Sequence, residues 1–206
     1  LGGSDPFIVL EDADVEFAAK GAVAGHMVGT GQSCIAAKRF IVHESVAEAF
    51  AERFATLMGE LKIGDPMDPE TQVGAVVNED AVAELTEQLE QSLALGGKVL
   101  TGGKRLDRPG CFLEPTVVTD TKPEMRIVAE EVFGPIAPII VVKDEDEAVA
   151  VANDSEFGLG GSVWTHDLER GVRVARRVES GTLFVNSFVK SDPRMPFGGV
   201  KKSGIG

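Results

Sequence analysis

Pro6-Phe7-Ile8-Val9-Leu10, Glu11-Asp12-Ala13-Asp14 and Arg39-Phe40-Ile41-Val42 frame the segment that decides the fold. The first five residues are a continuous apolar run, the pattern of a short strand buried on both faces. The acidic tetrapeptide supplies a helix start, with Asp12 or Asp14 as the cap. Val15, Ala18, Ala19, Ala22 and Val23 carry that helix toward Gly29, and Arg39–Val42 reads as the next strand.

The alternation continues outward from this unit. Ser45 followed by Glu48 predicts a capping box for a helix through Phe50, Phe54 and Leu57. A further helix is expected over Glu79–Leu95, stopped by Gly96-Gly97. Strands are predicted at Lys98–Thr101, Pro115–Val118, Ile136–Val142, Gly160–Trp164 and Thr182–Asn186, and helices at Asp144–Ala152 and Leu168–Val178. Pro138 points to a sheet edge or a bulge in its strand. The pattern predicts an α/β fold with a largely parallel central sheet covered on both faces. With no repeat and no linker, residues 1–206 read as a single domain.

At 206 residues and 43% hydrophobic content the chain is long enough for one sizeable core. A net charge of -13 and a pI near 4.7 argue against nucleic-acid or anionic-membrane surfaces, which need clustered positive charge. No apolar run approaches the ~20 residues of a membrane span, and the first residues carry no basic leader pattern. Cys34 and Cys111 make no disulfide framework, so a reducing cytoplasm is the expected setting. His26, His43 and His166 are too scattered for a metal site. No strand leads into Gly-x-Gly-x-x-Gly, and Gly199–Gly204 lacks the phosphate-loop spacing. Arg170, Arg173, Arg176 and Arg177 are interleaved with acids and read as a solvated helix face.

Gly31-Gln32-Ser33-Cys34 places a thiol between a helix-like and a strand-like segment. There a helix terminus or nearby positive charge would favour the thiolate, and backbone amides could hold an oxyanion. Spacing alone favours a small buried core thiol. A Cys-His hydrolase would need a histidine base, and the sequence singles out none.

Two more segments change this balance. Glu130-Glu131-Val132-Phe133-Gly134-Pro135 and Pro196-Phe197-Gly198-Gly199-Val200-Lys201-Lys202-Ser203-Gly204 follow the Cys34 motif in an order and spacing that resembles the aldehyde dehydrogenase superfamily. Leu1-Gly2-Gly3-Ser4-Asp5-Pro6 resembles the family's Glu-Leu-Gly-Gly segment without its glutamate. The resemblance implies a three-layer αβα catalytic domain. The family's separate nucleotide-binding domain and most of its oligomer-forming element fall outside these residues, and the longer proteins form homodimers or homotetramers.

The resemblance also implies roles. Cys34 would attack an aldehyde to give a thiohemiacetal and then a thioester, with NAD or NADP as hydride acceptor. Glu131 would accept from the nicotinamide ribose hydroxyls, and the Phe133 ring would pack beside the nicotinamide. Read alone, Glu131 belongs to a solvated acidic pair and Phe133 is a core aromatic before a turn. The family's base glutamate would directly precede Leu1 and its oxyanion asparagine would lie further upstream, so the 206 residues alone are expected to be inactive. A second cysteine beside the nucleophile, found in some relatives, is replaced by Ile35 and Ala36, which predicts no local redox switch.

Substrate choice is expected in Asn186–Met195. Where relatives that act on apolar aldehydes often carry an aromatic, this chain has Ser191, with Lys190 and Arg194 nearby. A hydroxyl and a guanidinium suit an ω-carboxylate. Ser-Asp-Pro-Arg with Gly-Val-Lys-Lys-Ser-Gly resembles bacterial succinate-semialdehyde dehydrogenases. The same groups would serve glutarate semialdehyde, Arg194 could instead pair with Asp192, and a silent relative acting as a binding module is the contrasting reading.

Overall fold

A computed structural model describes residues 2–205, so Leu1 of the Leu-Gly-Gly segment lies outside the described residues. The chain runs β1 (Asp5–Val9), α1 (Val15–His26), β2 (Ala37–His43), α2 (Glu44–Gly59), α3 (Glu79–Ala94), β3 (Lys98–Thr101), β4 (Thr116–Thr119), α4 (Arg126–Ala129), β5 (Ile136–Val142), α5 (Glu145–Asn153), β6 (Phe157–Gly158), β7 (Gly160–Trp164), α6 (Leu168–Ala175), β8 (Thr182–Val185) and β9 (Val200–Lys201). Seven strands form one sheet in the order β3-β4-β5-β2-β1-β7-β8. Its pairings are parallel except that of β3 with β4.

Successive side chains of a strand point to opposite faces, and here both faces are dry. Phe7, Val9, Phe40 and Val42 meet Ala18, Ala19 and Ala22 of α1 and Phe50, Phe54 and Met58 of α2. Ile8, Leu10 and Ile41 meet Ala148, Val149 and Ala152 of α5 and Val174 of α6. A third cluster packs Val82, Leu85 and Leu89 of α3 onto Val118, Ile127 and Ile136. The result is the α/β fold expected, three layers with a mostly parallel sheet in the middle. Burying an aromatic such as Phe40 at the contact of sheet and helices is worth roughly 3–5 kcal/mol against alanine.

Local chemistry sets the helix starts. Asp14 caps α1, accepting the Phe17 N–H at 2.9 Å. Asp12, the other candidate, instead accepts from Thr165 Oγ1 and from the N–H groups of His166 and Asp167, tying the end of β7 to the start of α1. Three expectations need correction. The capping box at Ser45 is not formed: α2 begins at Glu44, and His43 Nδ1 accepts the Ser45 N–H at 3.2 Å. Pro138 marks neither an edge nor a bulge, because β5 lies inside the sheet. Its register with β4 ends at Pro138 and that with β2 starts at Ile139, so the missing N–H falls where the ladder changes sides. Finally, α1 stops at His26 rather than near Gly29.

Candidate active site

Between α1 and β2 the chain makes a tight turn in which Gly29, Thr30 and Gly31 all take left-handed backbone conformations, with φ of 58°, 61° and 75°. Thr30 is β-branched and therefore strained there. It is held by burial and by its Oγ1, which accepts the Gly74 N–H at 3.2 Å. At Gly31 a Cβ would stand 2.2 Å from the carbonyl oxygen of Gly134, so only glycine lets the Cys34 turn sit against the Glu131–Pro135 segment. Gln32 stitches the turn to a third segment: its Oε1 accepts the Val77 N–H at 2.8 Å and its Nε2 donates to the Gly29 carbonyl at 3.1 Å.

Cys34 sits at the apex as a partly exposed free thiol. The expected helix terminus beside it is not there. The nearby helix end is the C-terminus of α1, the negative end of a helix dipole, and residues 27–33 lie between it and Cys34. The positive charge comes from Lys38, a residue that motif reading passed over. Its side chain is 1% exposed, and its ammonium donates to the carbonyls of Ser33 at 2.8 Å and Cys34 at 3.2 Å. The same nitrogen stands 3.3 Å from Glu131 Oε1 and 5.8 Å from the centre of the Phe133 ring.

The other motifs converge on the same point. Gly3 donates its N–H to Glu131 Oε1 at 3.1 Å, and a Cβ on Gly3 would reach within 2.5 Å of the Cys34 carbonyl. Ser203, from the last motif, donates its hydroxyl to the Gly2 carbonyl at 2.7 Å and accepts the Gly158 N–H at 3.0 Å. Cys34, Glu131 and Phe133 thus line one place, with Phe133 45% exposed at its surface.

Beneath the site lies Asp5, whose Oδ1 accepts the Gly160 N–H at 2.9 Å while its Oδ2 has no partner among the described residues. Burial pushes the Asp5 carboxyl up to about 7, against the pull of the Gly160 N–H, Lys38 and Arg39. Burial likewise draws the Lys38 ammonium below the ordinary lysine value, opposed by Glu131 and Asp5. Nearby His26 is fully buried and donates its Nδ1–H to the Ala37 carbonyl at 2.7 Å; burial takes it down to about 4.

The segment expected to read the substrate is built differently. Asn186 anchors its start, exchanging 2.8 and 3.0 Å bonds with the Thr165 backbone. Beyond it Lys190 lies over the Phe188 ring at 4.5 Å, Ser191 is exposed, and Arg194, 85% exposed, grips the Asp192 carboxylate at 2.9 and 2.6 Å. No bond joins these three side chains to Cys34, Lys38 or Glu131 among the described residues.

Among the described residues no cluster of histidines, cysteines and acids could hold a metal, and no helix is long and apolar enough to cross a membrane. Cys111 is partly exposed, its thiol donating to Glu79 Oε1 at 3.4 Å.

The aldehyde dehydrogenase family model matches residues 1–206. A succinate semialdehyde dehydrogenase of Escherichia coli strain K12, named for NAD(P)+, is 49% identical over all 206 residues, which cover 45% of its length. A probable succinate-semialdehyde dehydrogenase of Synechocystis, named for NADP+, is 48% identical with the same coverage. The crystal structure of succinate-semialdehyde dehydrogenase from Burkholderia pseudomallei superposes with a TM-score of 0.97 at 42% identity, covering 100% of this chain and 43% of that one. The chain therefore spans less than half the length of the relatives it matches.

Proposed function

This chain belongs to the aldehyde dehydrogenase family, and on that premise we propose that it is the thiol-bearing catalytic domain of a longer NAD(P)-dependent enzyme oxidising succinate semialdehyde to succinate. The observation that carries the reading is the meeting of Cys34, Glu131 and Phe133 around one buried cation.

The residues suit a nicotinamide cofactor. Glu131 Oε1 is engaged by Gly3 and Lys38, and Oε2 receives no hydrogen bond among the described residues, which leaves an acceptor for a ribose hydroxyl. Gly2, at φ 143°, provides the clearance, since a Cβ there would stand 2.5 Å from Oε2. The half-exposed Phe133 ring offers a face for an aromatic ring to pack against. When bound, the nicotinamide supplies the hydride acceptor.

The chain's own part is nucleophilic. The Cys34 sulfur bonds to the aldehyde carbon, and the oxyanion that forms is stabilised by the Cys34 backbone N–H. Loss of hydride leaves a thioester on Cys34, which water cleaves to the carboxylate and the free thiol. We assign the water-activating base, the rest of the cofactor's contacts and the surfaces of a homodimer or homotetramer to the length of the relatives that this chain does not span. We place the enzyme in the cytoplasm.

For the substrate, Ser191, Lys190 and Arg194 are the groups suited to the distal carboxylate. An exposed ion pair such as Arg194–Asp192 is worth only ~0–1 kcal/mol, so a substrate carboxylate can take over the guanidinium fork at little cost. The names of the relatives support succinate semialdehyde as the aldehyde. The test compares NAD(P)H formation by the longer protein on succinate semialdehyde and propanal. A strong preference for the former, reduced about 10-fold or more by Arg194→Ala, is the expected result. Equal turnover of both aldehydes would overturn the substrate, and no turnover of either would overturn the dehydrogenase.

A further inference from the structure

We propose that Lys38 is a positioning residue for the nucleophile, orienting through the Ser33 carbonyl the peptide group whose N–H belongs to Cys34. The inference rests on the reading of Cys34 and Glu131 above.

An ammonium has three N–H donors and no acceptor. Lys38 finds three oxygens: Ser33 O at 2.8 Å, Cys34 O at 3.2 Å and Glu131 Oε1 at 3.3 Å. The first two are the carbonyls of the peptide groups on either side of the Cys34 Cα. Each peptide is a plane with C=O and N–H pointing opposite ways. Gripping the Ser33 carbonyl therefore turns the Cys34 N–H away from Lys38, and gripping the Cys34 carbonyl fixes the next plane. Hydrogen bonds in series polarise one another, so a cation on the Ser33 oxygen also makes the Cys34 N–H a stronger donor to an oxyanion. The third bond ties this geometry to Glu131, the carboxylate assigned to the cofactor. With a side chain 1% exposed, Lys38 has no water to exchange these partners for. Its Cys34-side contacts belong to the turn that also holds Thr30 in the left-handed region.

Lys38→Met removes the charge and the donors, whereas Lys38→Arg keeps the charge but replaces three converging donors by a planar fork. In the longer protein, Lys38→Met is expected to slow iodoacetamide alkylation of Cys34, followed by mass spectrometry without cofactor, at least 5-fold. Lys38→Arg is expected to keep alkylation within about 2-fold of wild type. It should nonetheless lower kcat at least 10-fold per alkylatable Cys34, with the aldehyde KM changed by less than about 3-fold, in line with the loss of an oxyanion donor. A purely structural role would lower the melting temperature and leave kcat per titrated thiol unchanged. Wild-type kcat in Lys38→Arg, or wild-type alkylation in folded Lys38→Met, would overturn the proposal. Absence of turnover in the wild type would count against the dehydrogenase reading alone, leaving alkylation to judge Lys38; if Lys38→Met does not fold, kcat of Lys38→Arg decides.

Discussion

Lys38 and Arg194 are both basic side chains beside segments singled out for the same chemistry, yet the fold treats them in opposite ways. Lys38 is buried and takes its three partners from residues 33, 34 and 131, so its position is set by two segments at once. Arg194 is exposed and satisfied by Asp192, two positions away. Removing a buried charge's partners costs several kcal/mol, whereas an exposed pair is worth ~0–1 kcal/mol. The first arrangement suits a group that must hold reacting atoms still. The second suits one that must change partners when a substrate arrives.

The largest effect that sharpens this contrast is at the thiol. Cys34→Ser in the longer protein should lower aldehyde oxidation by about 1,000-fold or more, with little change in melting temperature, because a hydroxyl lacks the thiolate's nucleophilicity. Retained turnover in that variant would show that the cluster around Lys38 serves something other than Cys34.

Next comes Asp5, the buried carboxyl beneath Lys38. Its pKa rises from 3.8 to about 7 on folding, so between those values the folded state holds a proton that the unfolded state has lost, and stability falls as pH rises. At ~1.4 kcal/mol per pKa unit the ceiling is roughly 4 kcal/mol. His26 acts in the opposite sense: lowered from 6.5 to about 4, it stays neutral when folded, and its contribution is lost as pH falls through that window. Asp5→Asn should therefore gain stability relative to wild type steadily from pH 4 to 7, read as the difference between their melting temperatures. A difference that stays constant with pH would mean that Asp5 is not the buried acid described here.

Gly31→Ala probes the backbone side of the same region. The φ of 75° and the 2.2 Å approach to the Gly134 carbonyl predict a loss of roughly 2–3 kcal/mol, a fall of about 5–10 °C in a chain of this size. Unchanged melting would show that the turn can part from the Glu131 segment. The smallest expected effect lies in the other region: Arg194→Ala should alter stability by no more than ~0.5 kcal/mol, measured by urea denaturation. A larger loss would mean that the loop is held by its ion pair and is not free to trade it.

Much of the scaffold was legible because it is locally encoded. Apolar runs such as Phe7–Leu10 and Phe40–Val42 mark strands buried on both faces, and Asp14, Asp144 and Asp167 cap helices from their own first turns. Errors arose where local signals competed. Ser45 and Glu48 form a plausible box, but His43 supplies the cap at the strand end. Pro138 suggests an edge until the offset of two ladders is known. The strands β6 and β9 and the four-residue α4 are too short to show any period.

In the candidate site, Cys34, Glu131 and Phe133 were singled out by the resemblance of four motifs, in order, to the aldehyde dehydrogenase family, since each residue read alone favours a structural role. Lys38 left no such mark. Its partners include two backbone carbonyls, a group that every residue carries, and whether a lysine is buried on them depends on how distant segments pack. For the same reason the sequence holds both readings of Arg194, a free guanidinium and a paired one, until geometry places Asp192 within 2.6 Å. Residue types and their spacing determined the layers, the sheet and the family; the tertiary structure alone decided which charges are locked and which are exchangeable, since burial and long-range hydrogen bonding are properties of packing.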